Sequence, residues 1–95
     1  RPMFEELYEQ LLRDLKANNE SSPLFKHHIE KIERQRRLYD DDAPYRKEEP
    51  HQIVVDYLAA MTDEYFLAAH KFICPHSSHH VEFRSYFDGI DYQRA

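Results

Sequence analysis

Apolar side chains recur at three- and four-residue spacing over most of the first seventy residues, which is the spacing of one face of an α-helix. This pattern predicts helices over 2–17 and 23–38, each opened by a proline suited to a first helical turn. A third stretch predicts one long helix over 50–73, begun by Pro50 and stopped by Pro75. The sequence therefore predicts an all-α fold in the form of a small helical bundle.

The periodicity lapses in two places. Segment 39–49 contains three consecutive aspartates and Pro44, which predicts a loop. Segment 74–95 carries histidines and then aromatic residues without a sustained helical period, and we expect an irregular or short-helix tail there. Because no internal repeat or low-complexity tract interrupts the chain, we interpret 1–95 as a single helical C-terminal segment.

The predicted third helix is apolar nearly all round, although it carries ionisable residues along one line. Asp56, Asp63 and His70 are seven residues apart, so in one continuous helix they share a face. A helix that is apolar on its other faces is covered by protein, and we expect part of that cover to come from chain outside 1–95. In that setting the carboxylates need paired partners. The alternative is that this line faces water.

Composition and charge narrow the class of protein. The net charge of -5 argues against a protein that coats nucleic acid, which needs clustered cations, and no apolar run suggests a membrane segment. A single cysteine cannot form an internal disulfide, and the sequence shows no signal peptide. We therefore expect a cytoplasmic location. The basic end of the second helix, with Arg34, Arg36 and Arg37, is a conceivable anion site.

Cys74, His76, His79 and His80 place four potential zinc ligands within seven residues. Structural zinc sites usually draw ligand pairs from two separated segments, and the sequence offers no obvious second pair. A polar surface loop is the favoured interpretation of this cluster, and its role stays open.

The run 56–63 reads DYLAAMTD and resembles the signature DYIAGMTD near the C-terminus of the dGTPase-like branch of the HD-domain deoxynucleoside triphosphate triphosphohydrolases. The stretch FEELYEQLL at 4–12 is similar to an upstream helical region of the same family, and the likeness spans 4–72. By this resemblance Tyr57, Asp56 and Asp63 are candidate substrate-binding residues. For Tyr57 the alternative is a core tyrosine whose hydroxyl is satisfied.

The resemblance implies part of a larger helical HD-type hydrolase that hydrolyses dNTPs, dGTP-like, to deoxynucleoside and triphosphate. In this family a divalent metal, Mg²⁺ or Mn²⁺, assists attack by water. No His-Asp dipeptide occurs in this sequence, so we expect the catalytic HD motif in an N-terminal region of the same protein and no catalytic or metal-binding residue in this segment. The segment alone is then inactive, and the complete enzyme is expected to be a homo-oligomer.

Departures from the signature leave the substrate open. Ala60 stands where the family has glycine and adds a methyl group, and Glu64 reverses the charge of the family's arginine. One alternative is therefore an HD-superfamily hydrolase with another phosphorylated substrate. The other is a non-enzymatic helical interaction module.

Overall fold

The computed structural model describes residues 2–77, 87 and 90–95. Within these ranges every regular element is helical and no strand occurs, so the predicted all-α fold class is confirmed. The elements in chain order are α1 (Met3–Lys16), a π-helical turn (Leu24–Ile29) that continues into α2 (Glu30–Leu38), a 3-10 turn (Tyr45–Lys47), α3 (Pro50–Ala59) and α4 (Asp63–Ile73). The first two predicted helices, 2–17 and 23–38, correspond to α1 and to the π turn with α2.

The core lies where α1 packs against α3 and α4, with the π turn against α3. Leu7 and Leu11 of α1 are fully buried, as are Ile53 of α3 and Ile73 of α4. The buried positions recur at the three- and four-residue spacing of one helix face. Burying one such face of each helix stabilises the bundle.

The predicted single helix over 50–73 is wrong, because the chain breaks it between Ala59 and Asp63. Thr62 has extended backbone angles, and its side-chain oxygen accepts a hydrogen bond from the Tyr65 amide at 3.1 Å. That bond satisfies one of the free amides at a helix start, and Asp63 with Glu64 places negative charge at the positive end of the α4 dipole. Local capping therefore starts a new helix.

The expected cover of α3 and α4 by chain outside 1–95 stays a prediction. The break lets both helices pack on α1, and the large apolar side chains that remain exposed among the described residues are Phe4, Leu38 and Tyr39, none of which belongs to α3 or α4. Several apolar side chains of α3 and α4, among them Val55 and Phe66, are half-buried.

The last residues return to α1. The Tyr92 hydroxyl donates a hydrogen bond to the fully buried Asp14 at 2.6 Å, and Arg94 Nε donates to the side-chain oxygen of Gln10 at 2.8 Å. Residues 90–95 are not helical. The rest of the predicted irregular or short-helix tail lies largely outside the described residues. No helix in the described part of the chain combines the length and apolar character needed to cross a membrane.

Candidate functional site

A cleft of about 700 Å³ lies between the π turn with α2 on one side and the α3–α4 junction on the other. Its volume falls in the range of small-molecule sites. The described residues that line it are Lys26, His27, His28, Lys31, Ile32, Arg34, Gln35, Tyr57, Ala60, Met61, Thr62 and Tyr65. We call this feature the cleft throughout.

The junction side of the cleft is built from the DYLAAMTD run. Tyr57, Ala60, Met61 and Thr62 all line it, since the chain turns there from α3 into α4. Tyr57 is only 4% exposed, and its ring stacks on His28 with centroids 5.2 Å apart. The run that carries the family resemblance is therefore a wall of the cleft.

The opposite side of the cleft is cationic. Lys26, Lys31 and Arg34 line it, and no described lining residue is acidic. Within residues 2–77, 87 and 90–95, none of these three cations forms an ion pair, whereas Arg36 and Arg46 nearby each bind a glutamate. The lining of the cleft therefore carries net positive charge although the protein's net charge is -5.

A chain of hydrogen bonds behind the cleft fixes the tautomer of His28. Tyr45 donates its one hydroxyl proton to Asp56 at 2.8 Å, so His28 Nε2, 2.9 Å from the same oxygen, must be the donor of that bond. Gln52 also donates to Asp56, and its bond, followed by that from Tyr45, holds the pKa of Asp56 below its usual value. Burial lowers the pKa of His28. Asp56 thus anchors the ring that supports Tyr57.

A second chain runs from Tyr57 through Tyr65 to His27. The two hydroxyl oxygens are 2.5 Å apart, and Tyr65 Oη lies 2.7 Å from His27 Nδ1. If Tyr65 donated to Tyr57, the buried Tyr57 hydroxyl proton would lack an acceptor among the described residues, which is costly. The favoured direction of the first bond is therefore from Tyr57 to Tyr65. Burial raises the pKa of Tyr57 and raises the pKa of Tyr65 to about 12, so both stay protonated at neutral pH.

The sequence-predicted site residues are dispersed. Tyr57 lines the cleft, Asp56 lies behind it through Tyr45, and Asp63 is exposed in the first turn of α4 outside the lining. His70 is fully buried, with Nε2 2.9 Å from the Glu6 carboxylate on α1. The predicted line of Asp56, Asp63 and His70 is therefore wrong, because it required one continuous helix.

The basic residues were only partly anticipated. Of the conceivable anion site, Arg34 lines the cleft, but Arg36 binds Glu48 at 2.6 Å and Arg37 lines a different cavity. Sequence reasoning missed Lys26, His27 and Lys31 as lining residues. Lys31 and Arg34 are three residues apart on α2 and therefore share a face. This spacing in the sequence could have predicted that both residues line the same cavity.

A smaller cavity of about 250 Å³ lies beside α1 and is lined by carboxylates together with Cys74 and His76. Burial raises the pKa of the Cys74 thiol, which keeps it protonated. No group of three side chains in the described ranges could hold a metal ion, and His79 with His80, the rest of the proposed zinc cluster, falls outside those ranges.

The family model described as the phosphohydrolase-associated domain matches residues 2–72, a range that contains every lining residue of the cleft. No curated protein and no solved structure matches the chain.

Proposed function

The chain belongs to the phosphohydrolase-associated domain family, and from this premise we propose that it is the C-terminal portion of an HD-type hydrolase acting on dNTPs. The complete enzyme releases deoxynucleoside and intact triphosphate, with a dGTP-like substrate. It serves control of the nucleotide pool in the cytoplasm and works as a homo-oligomer. In this proposal the associated domain binds substrate and the N-terminal HD region performs the chemistry.

The observation that carries the proposal is that the DYLAAMTD run faces three cations across the cleft. A dNTP combines a polyanionic phosphate chain with an apolar base and sugar. The cleft matches both parts of such a ligand. Lys31 and Arg34 supply positive charge, and Met61 and the Tyr57 ring supply apolar surface.

The candidate residues take different roles. Tyr57 contacts the substrate directly, because its ring is part of the wall. Asp56 acts indirectly, because its hydrogen bond to Tyr45 orders His28. His28 in turn positions the Tyr57 ring that stacks on it. The substrate contact predicted for Asp63 stays a prediction, because this carboxylate lies in solvent outside the lining.

The divalent metal that the resemblance implies, Mg²⁺ or Mn²⁺, fits no group of described side chains. The resemblance implies that its ligands lie in the HD region outside this chain. In this proposal the described residues bind and orient an anion.

The test is release of triphosphate by the full-length protein, measured with each dNTP in turn and either metal. We expect hydrolysis of at least one dNTP, with a raised KM in Tyr57→Ala, while Asp63→Asn tests whether the exposed Asp63 carboxylate contributes to binding. Tyr39→Ala and Asp41→Asn are the matched controls, because both positions are exposed outside the cleft, and circular dichroism confirms that each variant is folded. Absence of triphosphate with all four dNTPs contradicts the proposal.

A second candidate is a hydrolase of the same superfamily with another phosphorylated substrate. Ala60 favours it, because the methyl group that replaces the family's glycine lines the cleft and narrows it. Glu64 favours it as well, since it reverses a charge beside the cleft-lining run. Under this alternative the protein cleaves another phosphate ester and leaves dNTPs intact. A full-length protein that cleaves neither class supports a non-enzymatic interaction module.

A further inference from the structure

We propose that the smaller cavity beside α1, which is lined by side chains of both charges, is a binding site for a small, polar α-amino acid. The cavity lies between α1, the residues that follow α4 and the tail, and it shares no lining residue with the cleft. The inference therefore goes beyond the proposed function and does not depend on it.

Two arginines from different parts of the chain meet in the wall of this cavity. Arg13 Nη1 and Arg94 Nε both donate hydrogen bonds to Gln10 Oε1, at 2.6 and 2.8 Å. Gln10 is 1% exposed, and its Nε2 donates to Asp14 at 2.9 Å, which fixes Oε1 as the acceptor on the arginine side. Neither arginine forms an ion pair with a residue that the structure describes. Two adjacent guanidinium groups with further donors therefore suit one carboxylate of a ligand.

Carboxylates in the same lining disfavour a ligand that is purely anionic. Glu6 and Glu9 are three residues apart on α1 and share the face that carries Arg13. Glu6 is held in place, because its Oε1 accepts a hydrogen bond from Ser77 Oγ at 2.8 Å and lies 2.9 Å from His70 Nε2. A carboxylate accepts more than two hydrogen bonds, so it can also accept from an ammonium group. A ligand with one charge of each sign matches both parts of the lining.

The two charges on α1 are not already paired with each other. Glu9 precedes Arg13 by four residues, which is the spacing and the direction at which such residues commonly form an ion pair on a helix. Arg13 instead donates to Gln10, and no ion pair joins it to Glu9. A zwitterion therefore binds without first breaking an internal ion pair between these residues.

The size and the remaining lining restrict the side chain of the ligand. The volume of about 250 Å³ lies below the usual range of sites for drug-sized molecules. The other described lining residues are small or polar, namely Gln10, Cys74, His76 and Ser77. A bulky apolar side chain finds no matching surface there, so we expect a ligand such as glycine or L-serine.

The test is calorimetric titration of the full-length protein with glycine and with L-serine, in nucleotide-free buffer that contains a chelator. We expect saturable binding of at least one of them, and tighter binding than that of acetate, which supplies the carboxylate alone. Absence of saturable binding for both amino acids overturns the inference. Affinity for acetate equal to that for the amino acid overturns it as well, because the acidic residues then contribute nothing.

The double variant Arg13→Gln/Arg94→Gln tests the carboxylate contact. It should bind the amino acid about tenfold more weakly or worse, as expected for loss of charge-assisted hydrogen bonds. The matched control is Lys16→Gln/Lys47→Gln, which removes the same charge from exposed positions outside the cavity and should leave the affinity unchanged. Equal weakening in the two double variants overturns the site, because binding then reflects overall charge.

Glu9→Gln tests the ammonium contact in the same titration. It should weaken binding of the amino acid several-fold, whereas Glu5→Gln, an exposed position on α1 outside the lining, should not. Circular dichroism confirms that each variant is folded. Equal affinities of Glu9→Gln and Glu5→Gln for the amino acid overturn the assignment of a zwitterion.

Discussion

Replacing Tyr45 with phenylalanine isolates one hydroxyl group on which the cleft depends. Tyr45 is 3% exposed, and its hydroxyl connects His28 to Asp56 at 2.9 and 2.8 Å. The ring packs edge-on against His28 and lies under the Arg36 guanidinium, contacts that phenylalanine preserves. Tyr45→Phe therefore removes hydrogen bonding with little change in packing.

The cost follows from what each partner loses. His28 is 7% exposed, and without the Tyr45 oxygen its Nε2 proton has no other acceptor in the described part of the chain, a penalty of about 1–3 kcal/mol. Asp56 is half-buried and keeps the bond from Gln52 at 2.8 Å, so water can replace the lost donor at small cost. We expect the free energy of unfolding to fall by about 2 kcal/mol, which lowers the melting temperature by roughly 8–16 °C in a domain of this size.

Urea unfolding of the 95-residue chain, followed by circular dichroism, measures this change. Tyr39→Phe is the control, because Tyr39 is 85% exposed and surface substitutions of this kind stay within about 0.5 kcal/mol. Equal unfolding midpoints for Tyr45→Phe and Tyr39→Phe would refute the chain from Asp56 to His28. A broad, non-cooperative transition of the unmodified chain would contradict the self-contained core formed by α1, α3 and α4.

Two further predictions concern the helix start and pH. Thr62→Ala removes the cap of α4 and should lower the free energy of unfolding by about 1 kcal/mol in the same urea assay. Thr62→Ser keeps the hydroxyl group and should retain most of that stability. Equal values for the two variants would exclude a capping role. Burial lowers the pKa of His27 and of His28 below the usual 6.5, so the unfolded chain binds protons first and stability should fall as pH drops below that value. An unfolding midpoint that is constant from pH 7 to 5, or one that rises, contradicts this sign.

The sequence predicts the helices well where burial decides the outcome. Leu7 and Leu11 recur at helical spacing, and both are fully buried in α1, because a helix is stabilised by covering one stripe. The loop after α2 was also signalled, since aspartates and Pro44 oppose a helical period, although a 3-10 turn, Tyr45–Lys47, forms inside it.

The break in the predicted third helix was missed because periodicity and capping gave opposite signals. Apolar residues continue at helical spacing through 50–73, but Thr62 followed by Asp63 and Glu64 is a helix-start pattern. The chain follows the capping signal because the break allows both α3 and α4 to pack against α1. One continuous helix over 50–73 would not permit this along its whole length. The substrate roles of Tyr57, Asp56 and Asp63 depend on this choice and stay predictions.

The cleft is a consequence of that break. In one continuous helix, positions 57 and 65 would be separated by about 12 Å along the axis, too far for their hydroxyl groups to meet beside each other. The turn at 60–62 instead brings the Tyr57 and Tyr65 oxygens to 2.5 Å and places Ala60, Met61 and Thr62 opposite the cations of α2. The same residues that carry the family resemblance therefore end one helix, begin the next and form the wall of the cleft.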